Sequence, residues 1–187
     1  MSPDIVYRLR GPAAGPGPGA HRARDTGGLG TFRDQVPFWR HPDARRIDLR
    51  ATLRDPFEGT VVRRFEQSRA LEVWTLVDVS ASMRFRGEGE AWALVTELCT
   101  ALARSATRIG DAFGLVACGA RAETLVPASR RRGTVEAVAD ALAAVVPGGA
   151  SAAGLAQAAA GLSGRRKLVV AISDFRVPAP VLAGLFE

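Results

Sequence analysis

The chain has 187 residues, 47% of them hydrophobic, and carries a net charge of +6, which suits one domain with a buried core plus an appendage. No run reaches the roughly 18 apolar residues of a spanning helix, so a transmembrane segment is excluded. Pro and Gly rather than an apolar stretch follow Arg8 and Arg10, so no secretory signal is read and a cytoplasmic protein is expected.

Residues 1–70 hold 13 Arg against 8 acids, whereas residues 71–187 are nearly neutral. A basic half of this kind suits nucleic acid, an anionic lipid surface or an acidic protein. The arginines alternate with acids (Arg45, Arg46, Asp48, Arg50, Arg54, Asp55), which favours internal ion pairs over a phosphate-tracking stripe and disfavours nucleic acid. The two cysteines, Cys99 and Cys118, lack a C-x-x-C spacing and are expected to fill core volume.

In chain order, residues 1–30 form a Gly/Pro-rich lead-in, expected to be flexible because Gly11–Gly19 reads GPAAGPGPG. Gly27, Gly28 and Gly30 are expected in a loop. They are not a phosphate loop, since no apolar strand precedes them and no helix-forming run follows. Residues 31–70 form a β-containing arm. Alternation over Ile47–Leu53 predicts a half-buried strand, Asp55–Gly59 a turn, and Thr60–Phe65 a second strand making a hairpin with the first.

Residues 71–187 change character. Apolar strands are predicted at Leu71–Val77, Phe113–Cys118 and Leu168–Ile172, with a short one at Glu123–Val126 beside the second. Helices are predicted at Gly89–Ser105, at Gly133–Val146 with Thr134 as N-cap, and at Ser151–Leu162. This alternation predicts an α/β fold, a mostly parallel sheet with helices on both faces. Ligands of such sheets bind at the carboxyl ends of strands. Two predicted strands end at an aspartate there, Asp78 and Asp174.

Asp78, Ser80 and Ser82 leave one strand at alternate positions, so a carboxylate and two hydroxyls can converge in front of the sheet. Hard oxygen donors suit Mg²⁺ or another hard divalent cation. Neutral hydroxyls leave the ion electrophilic and able to accept a partner's carboxylate, which serves adhesion. Hydrolysis would also need a general base. The plain alternative is that Asp78 and the serines cap the following helix. An enzymatic alternative is a metal-dependent hydrolase or phosphotransferase. The second acid of an Asp-x-Asp phosphatase is replaced by Ser80, no Gly-x-Ser-x-Gly elbow occurs, and the only histidines, His21 and His41, lie far upstream. No catalytic residue is assigned, and the chain is read as a non-enzyme.

Asp78-Val79-Ser80-Ala81-Ser82 resembles the D-x-S-x-S motif of von Willebrand factor A domains. Upstream, Arg45-Arg46-Ile47-Asp48-Leu49-Arg50-Ala51-Thr52-Leu53-Arg54 resembles the R-x-I-D-W-x-x-(S/T)-A-R signature of a bacterial family of unknown function. Arg63-Arg64-Phe65-Glu66 resembles that family's next block. The family carries an A-like domain and is typically encoded beside MoxR-type AAA+ ATPases. Leu49, the Arg-Asp-Pro run and the His-Arg features are similar to its MxaS-like branch, found in methanol dehydrogenase gene clusters.

Over residues 30–176 this resemblance implies a Rossmann-like A domain. Its metal ligands would be Asp78, Ser80 and Ser82, then Ser151 after Gly148-Gly149 in place of the usual Thr, and Asp174. It also implies a cytoplasmic adaptor that works with a MoxR-type ATPase on a client enzyme, with methanol dehydrogenase as the candidate client. The departures are Ser151 itself and the ending, because the family's last strands and helices have no counterpart after Asp174. That predicts a sheet truncated after its fourth core strand, with an exposed apolar edge. If the loop register placed Ala150 or Ala152 at the ligand position, the alternative is a scaffold with a decayed site. Asp78 is expected to face Asp174, so Asp78→Ala should leave stability unchanged or raised.

Overall fold

The computed structural model describes residues 5–7, 18–87, 90–162 and 167–186. The expected flexible stretch Gly11–Gly17, the N-terminal Arg8 and Arg10, and Gly89 lie outside the described residues. The fold class read from the sequence is found: a four-stranded, mostly parallel α/β sheet of Rossmann-like type, preceded by a separate antiparallel pair.

The sheet is built from β3 (Glu72–Asp78), β4 (Ala112–Cys118), β5 (Ala122–Ser129) and β6 (Lys167–Ile172), in the order β5-β4-β3-β6. β3 pairs in parallel with β4 and β6, while β5 runs antiparallel to β4. The strands alternate faces with period two. Val73, Val77, Phe113 and Leu115 point to one face. There they meet α2 (Ala91–Arg108) through Val95, Cys99 and Leu102, and α3 (Thr134–Ala144) through Val138 and Leu142. Leu76, Val116 and Cys118 point to the other face. They meet Leu155 and Ala158 of α4 (Gly154–Gly161), beside Val181 and Leu185 of α5 (Ala179–Phe186). With both faces covered, β3 and β4 read as continuous apolar runs rather than alternating ones.

The base of the sheet is pinned by a buried carboxylate. Asp111 accepts from Leu71 N at 2.9 Å and from the Tyr7 hydroxyl at 2.6 Å, while Ile5 N donates to Ser105 Oγ at 3.1 Å. Residues 5–7 are thereby tied to the start of β3 and the end of α2. Both cysteines are buried and free, and burial pushes each thiol up to about 12.

Four local expectations are corrected. Ile47–Leu53 is not a strand. Residues Leu49–Thr52 form a short helix, α1, capped by Asp48, whose side chain accepts from Ala51 N. The capping carboxylate outweighs the alternation, and only Ile47 keeps a bridge, to Val62. The hairpin partner of β2 (Val61–Arg69) is instead β1 (Pro18–Pro37). Gly27, Gly28 and Gly30, expected in a loop within the lead-in, lie in β1, at a break in the ladder where Thr26 and Thr31 both face Glu66. Glycine commonly marks such irregularities. Thr134 is the first helical residue of α3 rather than its cap, a position held by Gly133.

The arm's signature residues interlock. Asp48 is buried and accepts from Arg63 Nε at 2.6 Å and Gln35 Nε2 at 2.7 Å as well as from Ala51 N. Thr52 Oγ1 accepts from Val61 N, and the Arg46 guanidinium lies 5.4 Å from the Phe65 ring centroid. Arg63, with help from the Ala51 N–H and Gln35, holds the Asp48 carboxyl at about 2. A folded pKa lowered from 3.8 means the contribution is complete above pH 4 and is lost as pH falls towards 2. Urea unfolding at pH 6 and pH 3 should therefore show a smaller pH dependence in Asp48→Asn than in wild type. Equal pH dependence would show that Asp48 does not carry this linkage.

Candidate functional site

From β3 the chain runs through α2 to β4 and β5, then returns past β3 to lay down β6 on its other side. The order therefore reverses at β3, and the carboxyl ends of β3 and β6 border the crevice where open α/β sheets bind ligands. Asp78 ends β3, and Ser173 and Asp174 follow β6.

Asp78 is completely buried. Its Oδ1 accepts from Ser80 N at 2.8 Å, an Asx-type turn that folds the strand end back on itself. Its Oδ2 accepts from the Ser173 hydroxyl at 2.6 Å. The hydroxyls of Ser80 and Ser82 lie 3.1 Å apart, at the start of a single 3-10 turn, Ala81–Arg84. Asp78, Ser80 and Ser82 thus form one hydrogen-bonded cluster.

Ser151 sits on a neighbouring loop that is locked to the same strand end. Gly148 N donates to Val79 O at 2.7 Å, and Ala81 N donates to Gly149 O at 2.8 Å. Ser151 itself is exposed, and its Oγ accepts from Ala153 N. Asp174 is exposed and accepts from Arg176 N at 3.1 Å.

The residue that reaches Asp78 from β6 is therefore Ser173, which the sequence reading passed over in favour of the acid beside it. Phe175 adopts a left-handed backbone (φ 54°) and donates its N–H to Ser173 Oγ at 2.9 Å, turning that hydroxyl towards Asp78. Where the sequence expectation set Asp174 against Asp78, the group bonded to Asp78 is the Ser173 hydroxyl. Removing the Asp78 carboxylate leaves two donors without an acceptor instead of relieving a repulsion.

A cleft of about 650 Å³ opens beside the cluster, between the 3-10 turn, α2 and the end of β6. Ser82, Ser173 and Asp174 line it together with Arg84 and Arg176, and Phe85, Leu94 and Leu98 add apolar wall.

The donor set suits a hard divalent cation. Among the described residues no cationic side chain pairs with Asp78, although a wholly buried carboxylate is costly without a counter-charge. Each Asp78 oxygen accepts one hydrogen bond and so retains a free lone pair. The 3.1 Å between the serine hydroxyls is close to the roughly 3.0 Å edge of an octahedron with 2.1 Å bonds. Cys118 lies opposite Asp78 on β4, and burial and the Asp78 charge push its thiol up to about 12. Among the described residues no three His, Cys, Asp or Glu side chains cluster, so a cation here would rest on hydroxyls.

No helix among the described residues is long and apolar enough to cross a membrane. Among solved structures, proximal thread matrix protein 1 from the mussel byssus is similar at 21% identity with a TM-score of 0.47. The match covers 62% of this chain and spans only 35% of that protein. No curated protein matches the chain. A family match extends over residues 40–180, from the arm's interlocked signature through β6 and the Ser173-Asp174 turn, and by that match the chain belongs to the protein family of unknown function DUF58.

Proposed function

We propose that the chain is a metal-dependent protein-binding adaptor whose domain is of the von Willebrand factor A type. The observation that carries this reading is the buried Asp78 carboxylate at the switch point of the sheet, hydrogen-bonded but without a cationic partner among the described residues, beside two hydroxyls at cis-ligand spacing. Asp78, Ser80 and Ser82 would hold Mg²⁺ or a similar ion, with Ser151 and Asp174 approaching from the adjoining loops. Such an ion, bound largely by neutral oxygens, keeps enough positive charge to take a carboxylate from a partner. The arm's signature and D-x-S-x-S together support the MoxR-associated, A-domain reading, and Leu49, the Arg-Asp-Pro run and the His-Arg features its MxaS-like branch. On that reading the adaptor works in the cytoplasm with a MoxR-type AAA+ ATPase, in assembly or metal loading of an enzyme complex, methanol dehydrogenase being the first client to test.

The test is co-purification of the chain with a MoxR-type AAA+ ATPase, in Mg²⁺ and in chelator, for wild type and Ser80→Ala/Ser82→Ala. Capture that needs both Mg²⁺ and the serines is the expected result. Equal capture in chelator would favour a scaffold without a working metal site. A phosphatase activity lost in the double variant would favour the enzymatic reading.

A further inference from the structure

The arm carries an exposed apolar surface that the strand-end site does not use. Within residues 39–57, four large side chains stand free of any core: Trp39 is 73% exposed, Leu49 71%, Leu53 87% and Phe57 89%. Leu49 opens α1 and Leu53 is its C-cap, one helical turn on and on the same side. Trp39 and Phe57 flank a second cleft, of about 530 Å³, that also takes in Thr60. Each pair leaves large apolar groups in water, which monomeric proteins rarely do in clusters unless they contact something.

The charge around these groups has a positive excess. Asp43 is paired with Arg46, Asp48 with Arg63, and the Asp55 carboxylate accepts from Gly59 N. Arg40 lies 4.8 Å over the Trp39 ring, and Arg50 and Arg54 are exposed one turn apart. Among the described residues none of these three is ion-paired. Asp43 and Asp48 are thus neutralised internally, and although Asp55 and the exposed Glu58 keep their charge, the outward arginines leave this stretch net positive towards an external anion.

We propose that this face of the arm docks on an anionic membrane surface. Three features favour lipid. The leucines and Phe57 protrude, and fluid acyl chains accommodate protruding groups without a matching socket. Tryptophan and arginine both suit the headgroup layer, where a ring or an alkyl stem is buried and the polar end stays wet. Each arginine near an anionic surface also adds attraction. Aliphatic side chains do not stack on bases, which disfavours nucleic acid. The chain would lie on the bilayer and not span it. This inference is independent of the proposed metal site.

The experiment is co-sedimentation of the full chain with phosphatidylcholine vesicles, with and without about one third phosphatidylglycerol, at roughly 0.15 M salt. Wild type should sediment with the anionic vesicles and not with pure phosphatidylcholine. Leu53→Asp/Phe57→Asp should weaken binding by about tenfold or more, because a charge replaces each inserted group. Arg50→Gln/Arg54→Gln should weaken binding and flatten its salt dependence. All four positions are exposed, so an unchanged melting temperature confirms that the variants fold. Absence of wild-type binding, or binding undiminished in Leu53→Asp/Phe57→Asp, overturns the proposal. A chain that ignores vesicles but is held by immobilised polyglutamate through the same side chains would overturn it too, and assign the face to an acidic protein.

Discussion

Replacing Asp78 by alanine is expected to abolish divalent-cation binding and also to destabilise the fold. The carboxylate is completely buried and accepts from Ser80 N and from the Ser173 hydroxyl. Truncation leaves both donors without an acceptor. The serine hydroxyl can rotate away, but the Ser80 N–H is fixed in the turn, and a buried unsatisfied donor costs about 1–3 kcal/mol. Removing a buried charge returns part of that, so a net loss at the lower end is expected, roughly 2–4 °C in melting temperature per kcal/mol for a chain of this size. Asp78→Asn separates the two effects. It keeps an acceptor for Ser80 N, so stability should fall less, while the anionic ligand is still lost. Melting curves in chelator and in millimolar Mg²⁺ read both outcomes. Wild type should gain stability with Mg²⁺ by linkage, and neither variant should. An Asp78→Ala chain as stable as wild type in chelator would show that the carboxylate does not organise the loop.

Gly154→Ala is expected to be the most disruptive of the small-residue changes. A Cβ at this position would lie 2.6 Å from both the carbonyl carbon and the oxygen of Arg121 and 2.9 Å from Ala122 N. Those are backbone atoms of the β4–β5 turn, so no side-chain rotation relieves the overlap. The first turn of α4 is held against that turn by Gly154 N donating to Gly119 O at 2.8 Å. Moving α4 away loosens Leu155 and Ala158 from Leu76 and Val116. Overpacking of this kind costs about 1–3 kcal/mol, more where backbone must shift. The shift should also reach the site, because the 148–151 loop that leads into α4 is bonded to Val79 and Ala81. Gly161→Ala in the same helix is the control. A Cβ there meets nothing within 4 Å, and alanine is the better helix former by about 1 kcal/mol. Urea unfolding should place the two variants on opposite sides of wild type. Equal midpoints would mean that α4 does not approach the turn as described.

The central strands were legible because they are buried on both faces. Val73–Val77 and Phe113–Cys118 read as continuous apolar runs, which only a covered parallel sheet needs. Asp78, Ser80 and Ser82 were legible for a related reason, since polar residues directly after such a run mark its carboxyl end. Ser173 was not. A serine beside an aspartate is a weak signal, and only the left-handed turn at Phe175 decides which of the two faces Asp78. In the arm, alternation and capping made opposite claims on Ile47–Leu53, and the Asp48 carboxylate settled the matter through contacts to Gln35 and Arg63, 13 and 15 residues away. The β1–β2 pairing was equally hidden, because glycine-rich sequence carries little strand signal and its ladder is broken by register shifts. Helix α5 begins directly after Pro178, carries Pro180 in its first turn and has no charged residue, so its composition gives little helix signal.

Isothermal titration of metal-free protein with Mg²⁺, for wild type and Ser80→Ala/Ser82→Ala, tests the central claim most directly. Both serines lie at the crevice with their hydroxyls 3.1 Å apart, and neither hydroxyl bonds to the Asp78 carboxylate, so their loss should spare the loop while removing two neutral ligands. One saturable Mg²⁺ site per wild-type chain and none in the double variant is the expected result. No saturable binding to wild type at millimolar Mg²⁺, or the same binding in the double variant, would contradict it.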